Sequence, residues 1–345
     1  MIKALLEIGD LHLRKKDFFE VGFKKFSEWF DNTFPDEARE NTEIILAGDV
    51  FDKIALLPSV AAMAVELSNL LFKKAKTVYA ILGNHDYGLH KYRIENTKGL
   101  LEELHFTVID ELSVVTTKLG FKILCLPWIY GSSFKKVNAF IKEHENEEYD
   151  VLCSHWELEP MFGNKEDFID ISNLKVKSYA CGHIHSHNQN PKYLGSILPN
   201  SIAEGKEFNN SVVKMFCKDF ESGKSKERQI DIPSFISIKE IQLKNLEELS
   251  SLVRDPAVFY KIFFREGITE RSIVTQANLL GLNIYSLEKT HDGEQKAEIQ
   301  KIEVKEYSVV GPWDLIKLYK EPLGITNEEE SLCIQIIKSV RSEAA

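Results

Sequence analysis

Five times along this chain of 345 residues, a short apolar run ends abruptly in a small polar motif. Ala4-Leu5-Leu6-Glu7-Ile8 runs into Gly9-Asp10-Leu11-His12, Glu43-Ile44-Ile45-Leu46-Ala47 into Gly48-Asp49, and Thr77-Val78-Tyr79-Ala80-Ile81-Leu82 into Gly83-Asn84-His85-Asp86. Tyr149-Asp150-Val151-Leu152-Cys153 precedes Ser154-His155, and Val176-Lys177-Ser178-Tyr179-Ala180-Cys181 precedes Gly182-His183-Ile184-His185. Runs of this length and composition predict strands. In open α/β sheets, functional groups gather beyond the carboxyl ends of strands, so motifs far apart in sequence are predicted to share one site.

The residue types narrow the chemistry. Asp10, His12, Asp49, Asn84, His155, His183 and His185 offer seven oxygen and nitrogen ligands, and His85 is left over. Two divalent ions about 3.5–4 Å apart clamp a phosphate and stabilise both the attacking and the leaving oxygen. Asp49, in mid-series and tight behind its glycine, is the candidate to bridge them. Imidazole, carboxylate and amide together suit manganese, iron or zinc better than a thiolate site or an all-oxygen cage. Taken singly, each motif has a plain structural reading: Asp-x-His as a turn or cap, Gly83-Asn84 as a turn signal, His183 and His185 as one face of a strand end. All five in order do not. His90, His105, His144 and His291 have no partner motif, and His187 reads as a surface or substrate-side residue.

This ordered set resembles the calcineurin-like metallophosphoesterases. Gly48-Asp49-Val50-Phe51-Asp52, Leu126-Pro127-Trp128, His155-Trp156-Glu157-Leu158 and Tyr193-Leu194-Gly195-Ser196 resemble the SbcD-type DNA repair nucleases, or meiotic-recombination-eleven family, and within it the recombination exonuclease subunits of T-even phages. The resemblance implies one metal held by Asp10, His12, Asp49 and His185, and a second held by Asp49, Asn84, His155 and His183. The two divalent ions would be Mn2+ foremost, with Mg2+, Fe2+ or Zn2+ as alternatives. By the same resemblance His85 contacts the scissile phosphate or protonates the leaving 3′ oxygen, with Asp86 orienting it. Some members of that family carry a histidine where Asp52 stands, so any role of that histidine is absent here, and Asp52 is instead the candidate hydrogen-bond partner behind the ligands. The implied activity is 3′-to-5′ exonuclease action on duplex DNA with single-strand endonuclease action, in a homodimer formed through the helices near Val21–Phe34 and Pro58–Lys74. A protein phosphatase or cyclic-nucleotide phosphodiesterase would use the same ligands, and a non-catalytic scaffold for the ATPase partner is the reading from a different class.

Composition is compatible with this. A hydrophobic fraction of 43% with 28% charged residues is that of a globular protein. The five cysteines, at 125, 153, 181, 217 and 333, show no Cys-x-x-Cys and fit a reducing cytoplasm, the host's if the chain is phage-encoded. Gly9-Asp10 interrupts the first apolar stretch too early for a signal peptide, and no run reaches membrane-spanning length. The net charge of −10 is unusual for a DNA enzyme, which normally recruits excess lysine and arginine. Local basic clusters exist nonetheless: Arg14-Lys15-Lys16, Lys91 with Arg93, and Lys135-Lys136. Arg14, Lys91 and Arg93, just after metal motifs, are the candidate DNA contacts, and a partner is expected to supply much of the grip.

The chain reads as α/β, with a two-sheet sandwich metallophosphoesterase core over 1–232. Helices are predicted around Val21–Phe34, Pro58–Lys74 and Phe134–Glu145, and short strands at Phe106–Asp110, Ser113–Thr117, Phe121–Leu126, Val212–Cys217 and Gln229–Ile232. Pro233-Ser234 marks a boundary. Residues 233–290 then read as a small α/β unit: strand Ile236–Leu243, helix Leu246–Val253, strand Ala257–Phe264, helix Ile268–Leu280, strand Asn283–Glu288. The resemblance gives this unit the role of an accessory DNA-capping domain. After a polar linker from Thr290, residues 291–345 predict two helices, the second capped by Thr326 and Glu329. Trp313 and Ile316 on one, and Ile336, Ile337 and Val340 on the other, form apolar stripes. In the resembled family such helices grip the coiled coil of an SbcC-type ATPase. The segment holds seven basic against eleven acidic residues, which argues against a DNA-binding tail.

Overall fold

The computed structural model describes residues 2–14, 17–52, 58–87, 92–129, 134–158, 168–187, 190–199 and 211–290. Lys15, Lys16, Lys91, Trp313, Ile316, Ile336, Ile337 and Val340, with both C-terminal helices, lie outside the described residues, as does the side chain of Arg93. Residues 1–291 form one unit and 292–345 another.

The first sheet runs β10-β9-β1-β2-β3-β4. Its parallel half is β1 (Ile2–Ile8), β2 (Thr42–Ala47), β3 (Thr77–Ile81) and β4 (Thr107–Ile109); β9 (Val212–Asp219) and β10 (Ser225–Asp231) extend it antiparallel from β1. The second sheet is β5 (Ser113–Thr116), β6 (Lys122–Leu126), β7 (Glu148–Ser154) and β8 (Lys175–Cys181), parallel except for the β5–β6 hairpin. Its turn falls at Lys118-Leu119-Gly120, where Gly120 takes a left-handed φ of 96°.

Period-2 alternation decides which layer each side chain joins. Leu5, Ile45, Ala47, Tyr79 and Ile81 of the first sheet meet Ile123, Cys125, Val151, Cys153 and Ala180 of the second in one buried layer. The neighbours of opposite parity, Leu6, Ile8, Ile44, Leu46, Val78 and Ala80, face helices α1 (Asp17–Thr33) and α2 (Pro58–Lys74). Helix α1 buries Phe19, Phe23, Phe26 and Phe30, spaced 4, 3 and 4 residues apart on one stripe, and stops before Pro35. Burying each such side chain contributes about 1.5–3 kcal/mol. On the far side, Leu124, Leu126 and Leu152 pack on Val137 and Ile141 of a helix at Phe134–His144. The result is the mixed α/β sandwich expected from the sequence.

Beyond β10, strands Ser237–Leu243, Val258–Phe264 and Asn283–Lys289 form a separate three-stranded parallel sheet. With the helix Glu270–Leu280 it closes its own apolar cluster around Leu249, Ile262 and Ile273. Where a helix is predicted at Leu246–Val253, the chain makes a six-residue 3-10 turn, Leu246–Ser251. Asn245 starts it by accepting from the backbone of Glu247 and Glu248, and the segment ends before it can form a regular helix. No helix among the described residues is long and apolar enough to cross a membrane.

Candidate metal centre

All five motifs lie at carboxyl ends of strands, three in the first sheet (β1, β2, β3) and two in the second (β7, β8). The first two motif loops are hydrogen-bonded together: Leu11 and His12 donate their backbone N–H to Asp49 O at 3.1 and 2.9 Å, and Leu13 donates to Val50 O at 2.8 Å. The Tyr193-Leu194-Gly195-Ser196 segment supports the motifs from behind. Leu194 N–H donates to Cys181 O, and Ile197 N–H donates to Asp10 O. Gly9, Gly48, Gly83 and Gly182 have no room for a side chain without a shift of their neighbours. A Cβ on Gly83 would strike the Asp49 carboxylate and backbone nitrogen, and one on Gly182 would strike Ala47 O and His155 Nδ1.

The predicted ligands converge. His12 Nε2 lies 3.1 Å from His185 Nε2 and 3.7 Å from Asp49 Oδ2. Asp49 Oδ2 is also 3.2 Å from His155 Nε2, so one carboxylate oxygen faces imidazoles from two directions. Asn84 Oδ1 is 3.0 Å from both His155 Nε2 and His183 Nδ1. Asp10 Oδ1 accepts the His183 backbone N–H at 2.9 Å, while Asp10 Oδ2 is buried without a hydrogen-bond partner among the described residues. Asp10, His12 and His185 form one cluster whose donor atoms lie within 4.8 Å of one another, and Asp10, Asp49 and His155 form a second. An orphaned buried carboxylate oxygen amid inward-facing imidazole nitrogens fits divalent cations, as does the nitrogen-and-oxygen donor set.

Hydrogen bonds aim the rings. A carbonyl only accepts, so His155 must carry its proton on Nδ1 to bond Ala47 O at 2.7 Å, which turns the Nε2 lone pair toward Asp49 and Asn84 when the ring is neutral. His85 likewise donates Nδ1–H to Asp52 O at 2.8 Å and leaves Nε2 at the rim, where the side chain is 39% exposed. The Asp52 carboxylate stands behind both rings, 3.9 Å from His12 Nδ1 and 3.7 Å from His85 Nδ1.

Burial opposes charge throughout the cluster, and local partners decide the outcome. Burial, then the neighbouring His155, press His183 down to about 3, and His12 is held well below the ordinary histidine range by burial. For His155 burial is outweighed by the Asp49 and Asp10 carboxylates, which raise it to about 9. Asp49 is correspondingly lowered: burial would raise it, but His155, His12 and His85 prevail.

The structure corrects three expectations, for Asp86, Arg14 and His187. Asp86, expected to orient His85, is fully buried and uses its carboxylate on backbone groups instead. Its carboxylate accepts backbone N–H groups from Gly83 at 2.9 Å, Phe51 at 3.2 Å and Val50 at 3.4 Å, joining the second and third motif loops. The group that orients His85 is the Asp52 carbonyl. Arg14, expected at the mouth as a DNA contact, is only 8% exposed. Its guanidinium donates to Pro199 O at 3.1 Å, lies 3.6 Å from Asp52 and packs over the rings of Phe18 and Phe19. His187 is also buried, donating Nδ1–H to Tyr193 O at 2.6 Å. Trp128, which stacks beside His183, is a contact that sequence reasoning did not assign to the site; the signal available was an aromatic two residues past the end of β6, in Leu126-Pro127-Trp128.

Compared with known protein families, residues 4–187 match the calcineurin-like phosphoesterases, a stretch of more than half the chain. The comparison with curated proteins gives no match.

Proposed function

The chain belongs to the calcineurin-like phosphoesterases, metal-dependent hydrolases, and within that family we propose that it is a two-cation DNA phosphodiesterase, the nuclease subunit of an SbcC/SbcD-type ATPase–nuclease complex. The observation that carries the phosphodiesterase reading is the convergence of Asp10, His12, Asp49, Asn84, His155, His183 and His185 on one pocket with His85 at its rim. Asp10, His12, Asp49 and His185 would hold one cation, and Asp49, Asn84, His155 and His183 the other. Divalent cations bound there supply charge neutralisation of the phosphoryl group and activation of a water nucleophile. The protein's own part is positioning and proton handling. The Ala47 carbonyl fixes the tautomer of His155, the Asp52 carbonyl fixes that of His85, and His85 protonated at Nε2 donates to the leaving 3′ oxygen.

The DNA substrate is supported by the Pro127-Trp128, His155-Trp156-Glu157-Leu158 and Tyr193-Leu194-Gly195-Ser196 segments, and by the three-stranded unit after the core, which a small-substrate enzyme does not need. We assign that unit, residues 233–290, to DNA capping and residues 291–345 to docking on the coiled coil of the ATPase. Mn2+ is the expected cation, a homodimer the expected state and the cytoplasm the expected compartment. One observation favours a small-substrate phosphoesterase instead: the inward Arg14 removes a cation from the mouth of a chain whose net charge is −10.

The test is Mn2+-dependent degradation of end-labelled duplex DNA by the full chain, with and without an SbcC-type partner. His85→Gln is expected to slow release about 10²–10⁴-fold with cation binding retained, and Asp49→Asn to abolish both. No release in any condition, with turnover of a generic phosphoester, would replace the nuclease reading with the small-substrate one.

A further inference from the structure

Of the imidazoles around the pocket, His155 and His85 have rings held by an Nδ1–H donated to a backbone carbonyl. His183 is held differently. Its Nδ1 faces Asn84 Oδ1 at 3.0 Å, inside the pocket, and its other ring nitrogen has no carbonyl or carboxylate partner among the described residues. Its backbone is fixed, at φ 80° and with N–H on Asp10 Oδ1. That fixes the Cα and leaves the ring torsion, which is broad and roughly two-fold for histidine.

The His183 ring lies on Trp128, with centroids 5.9 Å apart and planes 23° apart. Trp128 is itself rigidly mounted. Its backbone N–H donates to Leu82 O at 2.8 Å, immediately before Gly83-Asn84, so the indole is tied to the strand end that carries Asn84. Trp128 also stacks on Trp156 at 4.4 Å with planes 25° apart. Trp156 is 1% exposed, donates Nε1–H to Pro127 O at 2.8 Å and takes the edge of Phe134 at 5.3 Å. His183 thus rests on Trp128, and Trp128 on the buried, hydrogen-bonded Trp156.

We propose that Trp128 is a positioning residue for the cation pocket formed by Asn84, His155 and His183, its indole face setting the plane in which His183 presents its ring nitrogen. A partner behind a metal-binding histidine commonly changes metal affinity 10–100-fold; here stacking takes the place that a carbonyl holds for His155. The inference rests on the two-cation reading above.

The experiment is titration of the metal-stripped full chain with Mn2+, counting bound ions by the loss of the free-ion electron paramagnetic resonance signal. Wild type is expected to bind two. Trp128→Leu should bind one ion within about threefold of wild type and the other about tenfold or more weakly, whereas Trp128→Phe, which keeps a flat ring, should stay close to wild type. Tryptophan emission is followed in parallel. Wild type should change emission as the ions bind, and Trp128→Phe should bind both ions with a smaller change, since Trp156 stays beside His155. Two ions bound by Trp128→Leu as tightly as by wild type would overturn the proposal, as would a loss of about tenfold or more for either ion in Trp128→Phe, which keeps the flat ring. The second criterion holds even if the leucine variant does not fold. Failure of wild type to bind any Mn2+ would overturn the two-cation reading itself, a distinguishable result.

Discussion

Glu7 lies in β1, three residues before Asp10, and is completely buried between the two sheets. Ser178 Oγ lies 2.9 and 3.0 Å from the two Glu7 oxygens and 2.6 Å from Glu227 Oε2. One hydroxyl proton cannot serve two carboxylates, so the arrangement is satisfied when Glu7 is protonated and donates to Ser178, which donates onward to Glu227. Burial is the main cause that lifts Glu7 from 4.5 to about 7, with Lys214 and the Ser178 bond pulling the other way. Between those values the folded state binds a proton that the unfolded chain has released, so stability falls as pH rises through the window. At ~1.4 kcal/mol for each pH unit separating the two values, the ionised Glu7 costs about 3 kcal/mol above pH 7. Glu7→Gln keeps the donor to Ser178 and removes the titration. In urea unfolding with a chelator present, the variant should match wild type near pH 4.5 and exceed it by up to about 3 kcal/mol above pH 7. A difference between the two proteins that stays constant from pH 4.5 to 8 would refute the reasoning.

Gly83→Ala places a methyl group against the Asp49 carboxylate; displacing that group should reduce hydrolysis about 100-fold and weaken Mn2+ binding by calorimetry. Arg14→Met removes the buried guanidinium from Asp52 and Pro199 O, and unfolding in urea should show a loss of about 1–3 kcal/mol with DNA affinity at fixed salt unchanged. Weakened DNA binding with stability intact would instead place that guanidinium on the surface. Asp86→Asn turns one carboxylate oxygen into an N–H group facing the backbone donors of Gly83, Val50 and Phe51. Two or more poorly satisfied donors should lower stability by about 2–4 kcal/mol, seen as an earlier urea midpoint.

The motif-bearing strands were legible because their signal is local. Each is a run of buried residues broken by a glycine or serine and followed by a polar group, and no distant information is needed to place Asp10, Asp49, Asn84, His155 or His183 at a strand end. β10 was legible only in part. Its expected span, Gln229–Ile232, gives way to Ser225–Asp231, most of whose residues are exposed and show no apolar alternation; pairing with β9 makes it a strand. The roles of Asp86 and Arg14 were hidden for a related reason. Beyond its local bond to Gly83, Asp86 is defined by backbone donors on the loop after β2, and Arg14 by the carbonyl of Pro199, 185 residues away. Nothing in the residues adjacent to either one encodes those distant partners.

Backbone conformation also distinguishes the site. His12, Asp49 and His183 all have positive φ, at 49°, 49° and 80°, a region that residues with a Cβ enter at a cost of about 1–2 kcal/mol each. The only other such residue described, His105, merely closes the turn after a helix, with its N–H on Glu102 O. The three at the site brace one another: Asp49 O accepts the His12 N–H, and Asp10, two residues before His12, accepts the His183 N–H. Releasing any one turn would therefore strip a hydrogen bond from another motif loop, so the cost is offset collectively. Loops strained and cross-linked in this way hold their ligand directions through the protein's own bonds. The two sheets thus organise the pocket through the chain's own hydrogen bonds.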